Sequence, residues 1–231
     1  MEAAEPALVA RTLYHLPLSA ASRAVRLALA EKGLDTQLIA EPVWEHRDAF
    51  LALNPAGEVP VLVDVDGAAI AGGDVILEYL DEAYPDRPLI SDSIAARVEC
   101  RRMVAWFAQR FDKEVTGPLV NEKVLKRFLQ LGHPDSNAIR AAKTNIEMHL
   151  EYIGWLTDRR RWLAGNLLSR ADLVAAAHLS VVDYLGDVPW QAHTPAKDWY
   201  AKIKSRPSFR PLLEDYVPGA LPPTYYANLD F

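Results

Sequence analysis

The sequence predicts an α/β plus all-α fold, with an α/β unit over residues 1–88 and a helical unit over residues 92–215. Short β-prone segments alternate with helical periodicity as far as Pro85, and no strand pattern follows it. The charge changes at the same place. Residues 1–90 carry 6 basic and 15 acidic side chains, whereas residues 91–213 carry 19 basic and 13 acidic ones. Two units of different character are therefore predicted.

The first unit is predicted to run β-α-β-α-β-β-α. Residues 7–14 are short and β-prone, and from Ser19 apolar residues recur at helical spacing up to Gly33, a typical helix-ending glycine. Asp66-Gly67 is a turn dipeptide and predicts a hairpin. The remaining predicted elements are a strand over 36–40, a helix over 45–53, hairpin strands over 59–65 and 68–71, and a helix over 74–84.

The second unit contains six predicted helices. They cover residues 92–116, 119–131, 136–157, 170–186, 195–204 and 208–215. Ser169 and Asp172 have the spacing of a capping box, in which each side chain bonds the other residue's backbone amide. The segment 216–231 that follows contains three prolines and is not expected to be helical.

Composition excludes several classes of protein. The 231 residues carry a net charge of −6, and the single cysteine, Cys100, allows no intrachain disulfide, so a reducing cytoplasm is the expected compartment. The longest apolar run, 173–182, is too short to span a membrane, which takes ~20 residues. Residues 1–6 lack the positive charge of a secretory signal. Basic and acidic residues are interleaved, so no nucleic-acid partner is expected.

The sequence offers few candidates for a metal site, a redox-active cysteine or another catalytic motif. The six histidines show no metal-ligand spacing, and His178 lies on an apolar helix as a core residue would. Cys100 has no partner and is interpreted as structural. The basic run 159–161 is either a solvated loop or a patch for an acidic partner.

Five segments, in the same order along the chain, resemble the glutathione transferase family, in particular its zeta-like and bacterial members. They are Leu13–Gly33, Asn54–Leu62, Val75–Pro85, Ser169–Ala177 and Trp199–Leu213. The resemblance implies the glutathione transferase fold, with a thioredoxin-like N-terminal domain over 1–88 and a helical C-terminal domain over 92–215. A fold of this kind does not by itself imply catalysis.

Two features of the family's glutathione site are retained. Ser19 matches the catalytic serine of zeta-like transferases, although a serine at a helix start is also a common N-cap. Val59 and Pro60 match the segment in which the family places a cis-proline and pairs its backbone with the tripeptide. Relatives that bind no glutathione also keep that proline, so it discriminates poorly.

A third feature is lost. Gly72 and Gly73 stand where the family has Glu or Gln followed by Ser, which hold the γ-glutamyl group. Asp74 follows directly, and its carboxylate would repel that of the ligand. One charge-assisted hydrogen bond is worth roughly 1.5–3 kcal/mol, so we expect weak glutathione binding and a poor or inactive enzyme. The alternative is that the glycines only tighten a turn and that backbone amides suffice for binding.

The C-terminal tail, residues 216–231, is a candidate partner-binding element. Its prolines limit the entropy of the free tail and its aromatic residues offer contact area. The tail either packs on the helical unit or presents a surface to a partner. Trp44 is a second candidate, and its side chain belongs either to the core or to an interface. The candidate partner-binding residues are Trp44, Tyr225, Tyr226, Asn228, Leu229, Asp230 and Phe231.

The ending YANLDF resembles the glutathione-transferase-like cell-division proteins of α-proteobacteria, which bind the tubulin homologue FtsZ. The resemblance implies a cytoplasmic homodimer without a cofactor that binds FtsZ filaments at the division site and acts in constriction. The alternative is a glutathione-dependent transferase or zeta-like isomerase that uses Ser19.

Overall fold

A four-stranded mixed sheet forms the N-terminal part of the computed structural model, which describes residues 10–229. Its strands are β1 (Thr12–His15), β2 (Gln37–Ala40), β3 (Val61–Val63) and β4 (Ala69–Ala71). Their order is β2-β1-β3-β4, with β1 parallel to β2 and the other two pairs antiparallel. The predicted hairpin is the β3–β4 pair. The first predicted strand, 7–14, is partly outside the described residues.

Three helices accompany the sheet: α1 (Ala20–Lys32), α2 (Asp48–Leu51) and α3 (Gly73–Ala83). α1 ends as predicted, with Gly33 in the left-handed conformation at φ 70°. The predicted helix over 45–53 is wrong in its extent. His46 adopts φ 47° and separates a short 3₁₀ turn from α2.

The helical part begins with five helical segments that follow one another without a break. They are α4 (Ile94–Ala105), a π-helical stretch (Trp106–Thr116), α5 (Gly117–Val120), a second π-helical stretch (Asn121–Leu125) and α6 (Lys126–Phe128). The two helices predicted here are therefore joined. A small residue is favoured at position 117, because a Cβ there would lie 3.0 Å from the carbonyl oxygen of Asp112, a tight contact.

The remaining helices complete the core. They are α7 (Ser136–Thr157), α8 (Arg170–Tyr184), α9 (Thr194–Lys204) and α10 (Arg210–Leu213). Every residue of α8 is buried, and it packs against α1. The predicted capping box is confirmed: Asp172 Oδ2 accepts from the Ser169 amide at 3.0 Å, and the Ser169 side chain caps the helix in return. No described helix is both long and apolar enough to cross a membrane.

Candidate functional site

Ser19 is the N-cap of α1. Its backbone is extended, and its hydroxyl oxygen accepts a hydrogen bond from the Ser22 amide at 3.2 Å. A hydroxyl that accepts in this way still has its own hydrogen to donate. The capping role that the sequence predicted is therefore present, and it does not by itself exclude the catalytic one.

The segment around Pro60 meets the start of α3. The Val59–Pro60 peptide bond is cis, in agreement with the prediction, and the Pro60 carbonyl accepts from the Gly72 amide at 3.0 Å. Gly72 caps α3 at φ 92° and ψ 133°, a conformation that residues with a Cβ rarely adopt. A Cβ on Gly73 would lie 3.1 Å from the Cβ of Ala21. Gly73 thus allows α1 and α3 to approach closely, whereas Gly72 is constrained by its positive φ and not by lack of space.

A cleft of about 530 Å³ opens beside Ser19, between the starts of α1 and α3 and the π-helical stretch. Its ionisable lining residues are Asp74, Asp112 and His178, and no lysine or arginine is among the described residues that line it. Burial raises the pKa of both carboxyl groups. Burial also lowers the pKa of His178 to about 3, so the ring is neutral at pH 7. The cleft is therefore acidic.

A second concavity, of about 400 Å³, lies on the other side of the loop after β1. We call it the apolar groove; its lining includes Leu16, Trp44, Val124, Phe128 and Tyr216. The rings of Trp44 and Phe128 meet edge-on, with centroids 5.0 Å apart. Both remain open to solvent, at 36% and 51% exposure. Exposed aromatic pairs beside an apolar groove are typical of protein interaction sites.

Part of the C-terminal tail packs on the molecule, through Val217, Ala220 and Tyr226. Tyr226 is 1% exposed and lies edge-on to Tyr184, with ring centroids 5.2 Å apart. Tyr225 is half-buried, Leu229 is half-buried and Asn228 is exposed. Asp230 and Phe231 lie outside the described residues. Part of the tail therefore folds back, as one of the two hypotheses expected, and Tyr226 serves to dock it.

Arg23 connects the tail to the loop that carries Ser19. It is fully buried, donating from Nε to the Pro17 carbonyl at 2.6 Å and from Nη1 to the Tyr226 hydroxyl at 3.0 Å. Nη1 also donates to the Ser180 hydroxyl, and Nη2 pairs with Asp215 at 3.2 Å. This side chain was not a candidate from sequence, because arginine is normally exposed.

The sheet, the cis-proline and the helical part define a glutathione S-transferase fold, and the family model for the N-terminal domain of glutathione S-transferases matches residues 13–88. The chain belongs to the glutathione S-transferase family. It is 48% identical over 226 residues to FtsZ-localized protein A of Caulobacter vibrioides (strain NA1000 / CB15N), covering 96% of this chain and 99% of that protein.

Two solved structures are similar over the same extent. A glutathione S-transferase from Rhodospirillum rubrum F11 superposes with a TM-score of 0.94 at 56% identity, covering 96% of this chain and 100% of that one. FzlA from C. crescentus gives a TM-score of 0.93 at 48% identity, with the same coverage. Within residues 10–229, no group of three or more His, Cys, Asp or Glu residues could hold a metal ion.

Glutathione fits these residues poorly. The tripeptide carries two carboxylates and one ammonium group, so it is a net anion, and among residues 10–229 the cleft presents Asp74 and Asp112 to it without a lysine or arginine. Glycine at 72 and 73 offers no side-chain contact, and the close approach of Ala21 limits what could be added. We therefore derive no reaction step through glutathione.

Replacing Gly72 and Gly73 by the family's Glu and Ser is not expected to restore glutathione binding. Gly73→Ser must displace Ala21, and Gly72→Glu forces a residue with a Cβ into a conformation that costs roughly 1–3 kcal/mol. We expect the double variant to be less stable in urea unfolding and to remain unretained on glutathione resin. Gly67→Ala, at a turn glycine with open space around it, controls for the backbone cost alone. Retention of the double variant with unchanged stability would contradict this account.

Proposed function

We propose that this chain is a non-enzymatic adaptor of the glutathione transferase fold that binds FtsZ filaments as a homodimer and regulates constriction at the division site in the cytoplasm. The observation that carries the proposal is the 48% identity, over nearly the whole of both chains, to a protein described as FtsZ-localized. The glycines at 72 and 73 and the acidic cleft support the non-enzymatic part.

The apolar groove is the proposed filament contact. Its lining is almost entirely apolar, and the Trp44–Phe128 pair at its rim offers the aromatic anchors that carry much of the energy in protein interfaces. Tyr216 and Pro218 of the tail form one wall, so the tail and the groove make one surface. We propose that the tail's end, from Asn228, adds direct contacts, whereas Tyr226 supports the surface from inside.

A dimer would give two such surfaces. Three apolar side chains remain exposed on neighbouring helices, Val75 on α3 and Ile94 and Val98 on α4. A two-fold dimer through this face would present two identical grooves. Two linked sites bind a polymer far more tightly than one, because the second contact is intramolecular. Such a dimer could crosslink or bend filaments.

The test is co-sedimentation with FtsZ polymerised under GTP. The intact protein is expected in the pellet at micromolar concentrations, and Trp44→Ala is expected to weaken binding at least tenfold, because an interface anchor is worth ≥ ~2 kcal/mol. Trp155→Ala is the matched control, since Trp155 is also exposed and does not line the groove. Size exclusion of each variant separates lost binding from lost dimerisation. If the intact protein stays in the supernatant, the proposal is wrong.

A glutathione-dependent enzyme is the second candidate. The hydroxyl of Ser19 at the start of α1 and the 56% identity to a structure described as a glutathione S-transferase favour it. In that case the protein is retained on glutathione resin and turns over a generic electrophile, and both properties disappear in Ser19→Ala.

A further inference from the structure

The loop that carries Trp44 is closed by an ion pair between its two ends. Glu41 follows β2, and its amide donates to the His15 carbonyl at 3.0 Å, so this end of the loop is fixed to β1. The Glu41 side chain is fully buried, and Arg47 donates to both of its carboxylate oxygens, from Nε at 3.0 Å and from Nη2. A forked pair of this kind fixes the orientation of the two side chains as well as their distance.

The backbone between those two ends is tightly wound. Pro42 has φ −75°, and the Glu45 amide closes the 3₁₀ turn Val43–Glu45 by donating to the Pro42 carbonyl at 2.9 Å. His46 then adopts the left-handed conformation, at φ 47° and ψ 45°. A residue with a Cβ keeps this conformation only where the surrounding structure holds it, and the ion pair across the loop supplies that restraint.

Trp44 lies in the middle of this closed loop. Its ring is 36% exposed and meets Phe128 of α6 at the rim of the apolar groove, with ring centroids 5.0 Å apart. Arg47 is not among the described residues that line the groove, and its guanidinium is engaged with Glu41. Any effect of Arg47 on the shape of the groove therefore passes through the loop that holds Trp44.

We propose that Arg47 is a positioning residue for partner binding in the apolar groove. Its forked bonds to the buried Glu41 hold the loop 41–47 closed and keep the Trp44 ring against Phe128, where it meets the partner. An anchor that is already in place loses less conformational freedom on binding than a mobile one. The proposal rests on the function proposed above, in which the groove contacts the filament.

The first measurement needs no partner and uses acrylamide quenching of tryptophan fluorescence. The emission of Trp44 is isolated as the difference between each protein and its Trp44→Phe counterpart. In Arg47→Met the quenching constant of Trp44 is expected to rise about twofold, because the ring is 36% exposed in the closed loop and more exposed when the loop opens.

Arg206→Met is the matched control. Arg206 makes a similar forked pair, from Nε and Nη2 to Glu31 at 2.6 and 2.7 Å, and it does not line the groove. Its side chain is 36% exposed, compared with 45% for Arg47. This variant should leave the quenching of Trp44 unchanged.

A second variant separates an open loop from an unfolded protein. Arg47→Met leaves the buried Glu41 carboxylate without its charge partner, which is destabilising in itself. Glu41→Gln/Arg47→Met removes both charges and still lacks the forked pair. It should give the same rise in Trp44 quenching while it retains a cooperative thermal transition.

The second measurement is co-sedimentation with FtsZ polymerised under GTP. Glu41→Gln/Arg47→Met is expected to bind about tenfold more weakly, as after the loss of an interface anchor. It should have no further effect when Trp44 is already Ala, because the changes act through one contact. Arg206→Met should bind as the intact protein does.

Three results would each overturn the proposal: unchanged Trp44 quenching in both Arg47 variants, increased quenching with unchanged filament affinity, or a loss of affinity that adds in full to that of Trp44→Ala. If even the intact protein does not sediment, the filament function fails alone. The quenching comparison then decides whether Arg47 positions Trp44.

Discussion

Replacing Arg23 by Met is expected to lower the free energy of unfolding by about 3–5 kcal/mol, the usual cost of removing one partner of a buried ion pair. Arg23 is fully buried, and its loss leaves the Asp215 carboxylate and the Pro17 carbonyl each without one of their donors. Urea unfolding with an unchanged m-value is the measurement. Met approximates the length of the arginine stem, so the change removes charge and hydrogen bonds more than volume.

Arg110→Met is the matched control. Arg110 pairs with Glu114 at 3.0 Å on an exposed helix surface, where an ion pair is worth about 0.3–0.5 kcal/mol. The predicted difference between the two variants is therefore several kcal/mol. A cost below about 1 kcal/mol for Arg23→Met would mean that water or Arg26, which also pairs with Asp215 at 2.8 Å, takes over its role.

The order of the elements could be predicted from sequence because each has a local cause. The Asp66-Gly67 turn, the glycine at 33 and the box of Ser169 and Asp172 are short-range features, and the structure contains all three. The extents of the helices were predicted less well than their order. The helix predicted over 45–53 is interrupted at His46.

The candidate site was predictable only in part. Family resemblance identified Ser19, Pro60 and the two glycines as site positions, because the family's motifs occur in the same order in this chain. Trp44 could be suspected, but not its contact with Phe128, which is 84 positions away in the chain and adjacent only in the fold. Arg23 was missed because charged residues in helices are normally solvated, and sequence gives no measure of its burial.

The contacts of Arg23 indicate that the positions of the tail and of the candidate site depend on each other. The same guanidinium holds the Pro17 carbonyl, two residues before Ser19, and the hydroxyl of Tyr226. Tyr216 and Pro218, earlier in the tail, form a wall of the apolar groove. Undocking Tyr226 should therefore loosen the groove wall and the loop after β1 together, since both depend on this buried contact.

Replacing Tyr226 by Ala is accordingly expected to cost about 3–5 kcal/mol in the free energy of unfolding, the usual cost of removing a large buried aromatic ring. The ring packs edge-on against Tyr184 and lies under the Lys204 ammonium, 5.5 Å from its centroid. Tyr226→Phe keeps those contacts and removes only the hydroxyl, which bonds Arg23 and the Leu212 carbonyl. It should cost roughly 1.5–3 kcal/mol by urea unfolding, because the bond from Arg23 is charge-assisted.

Tyr226→Ala and a deletion of residues 227–231 together distinguish support by the tail from direct contact. If the tail acts by holding the groove wall, Tyr226→Ala weakens FtsZ co-sedimentation while deletion of residues 227–231 leaves it unchanged, because the dock at Tyr226 remains. If the end of the tail contacts the filament, the deletion abolishes co-sedimentation while lowering the unfolding free energy much less than Tyr226→Ala does, since Ala227 and Asn228 are exposed and Leu229 is only half-buried. If both variants co-sediment as well as the intact protein, the tail does not take part in filament binding. The contact would then depend on Trp44 and Phe128.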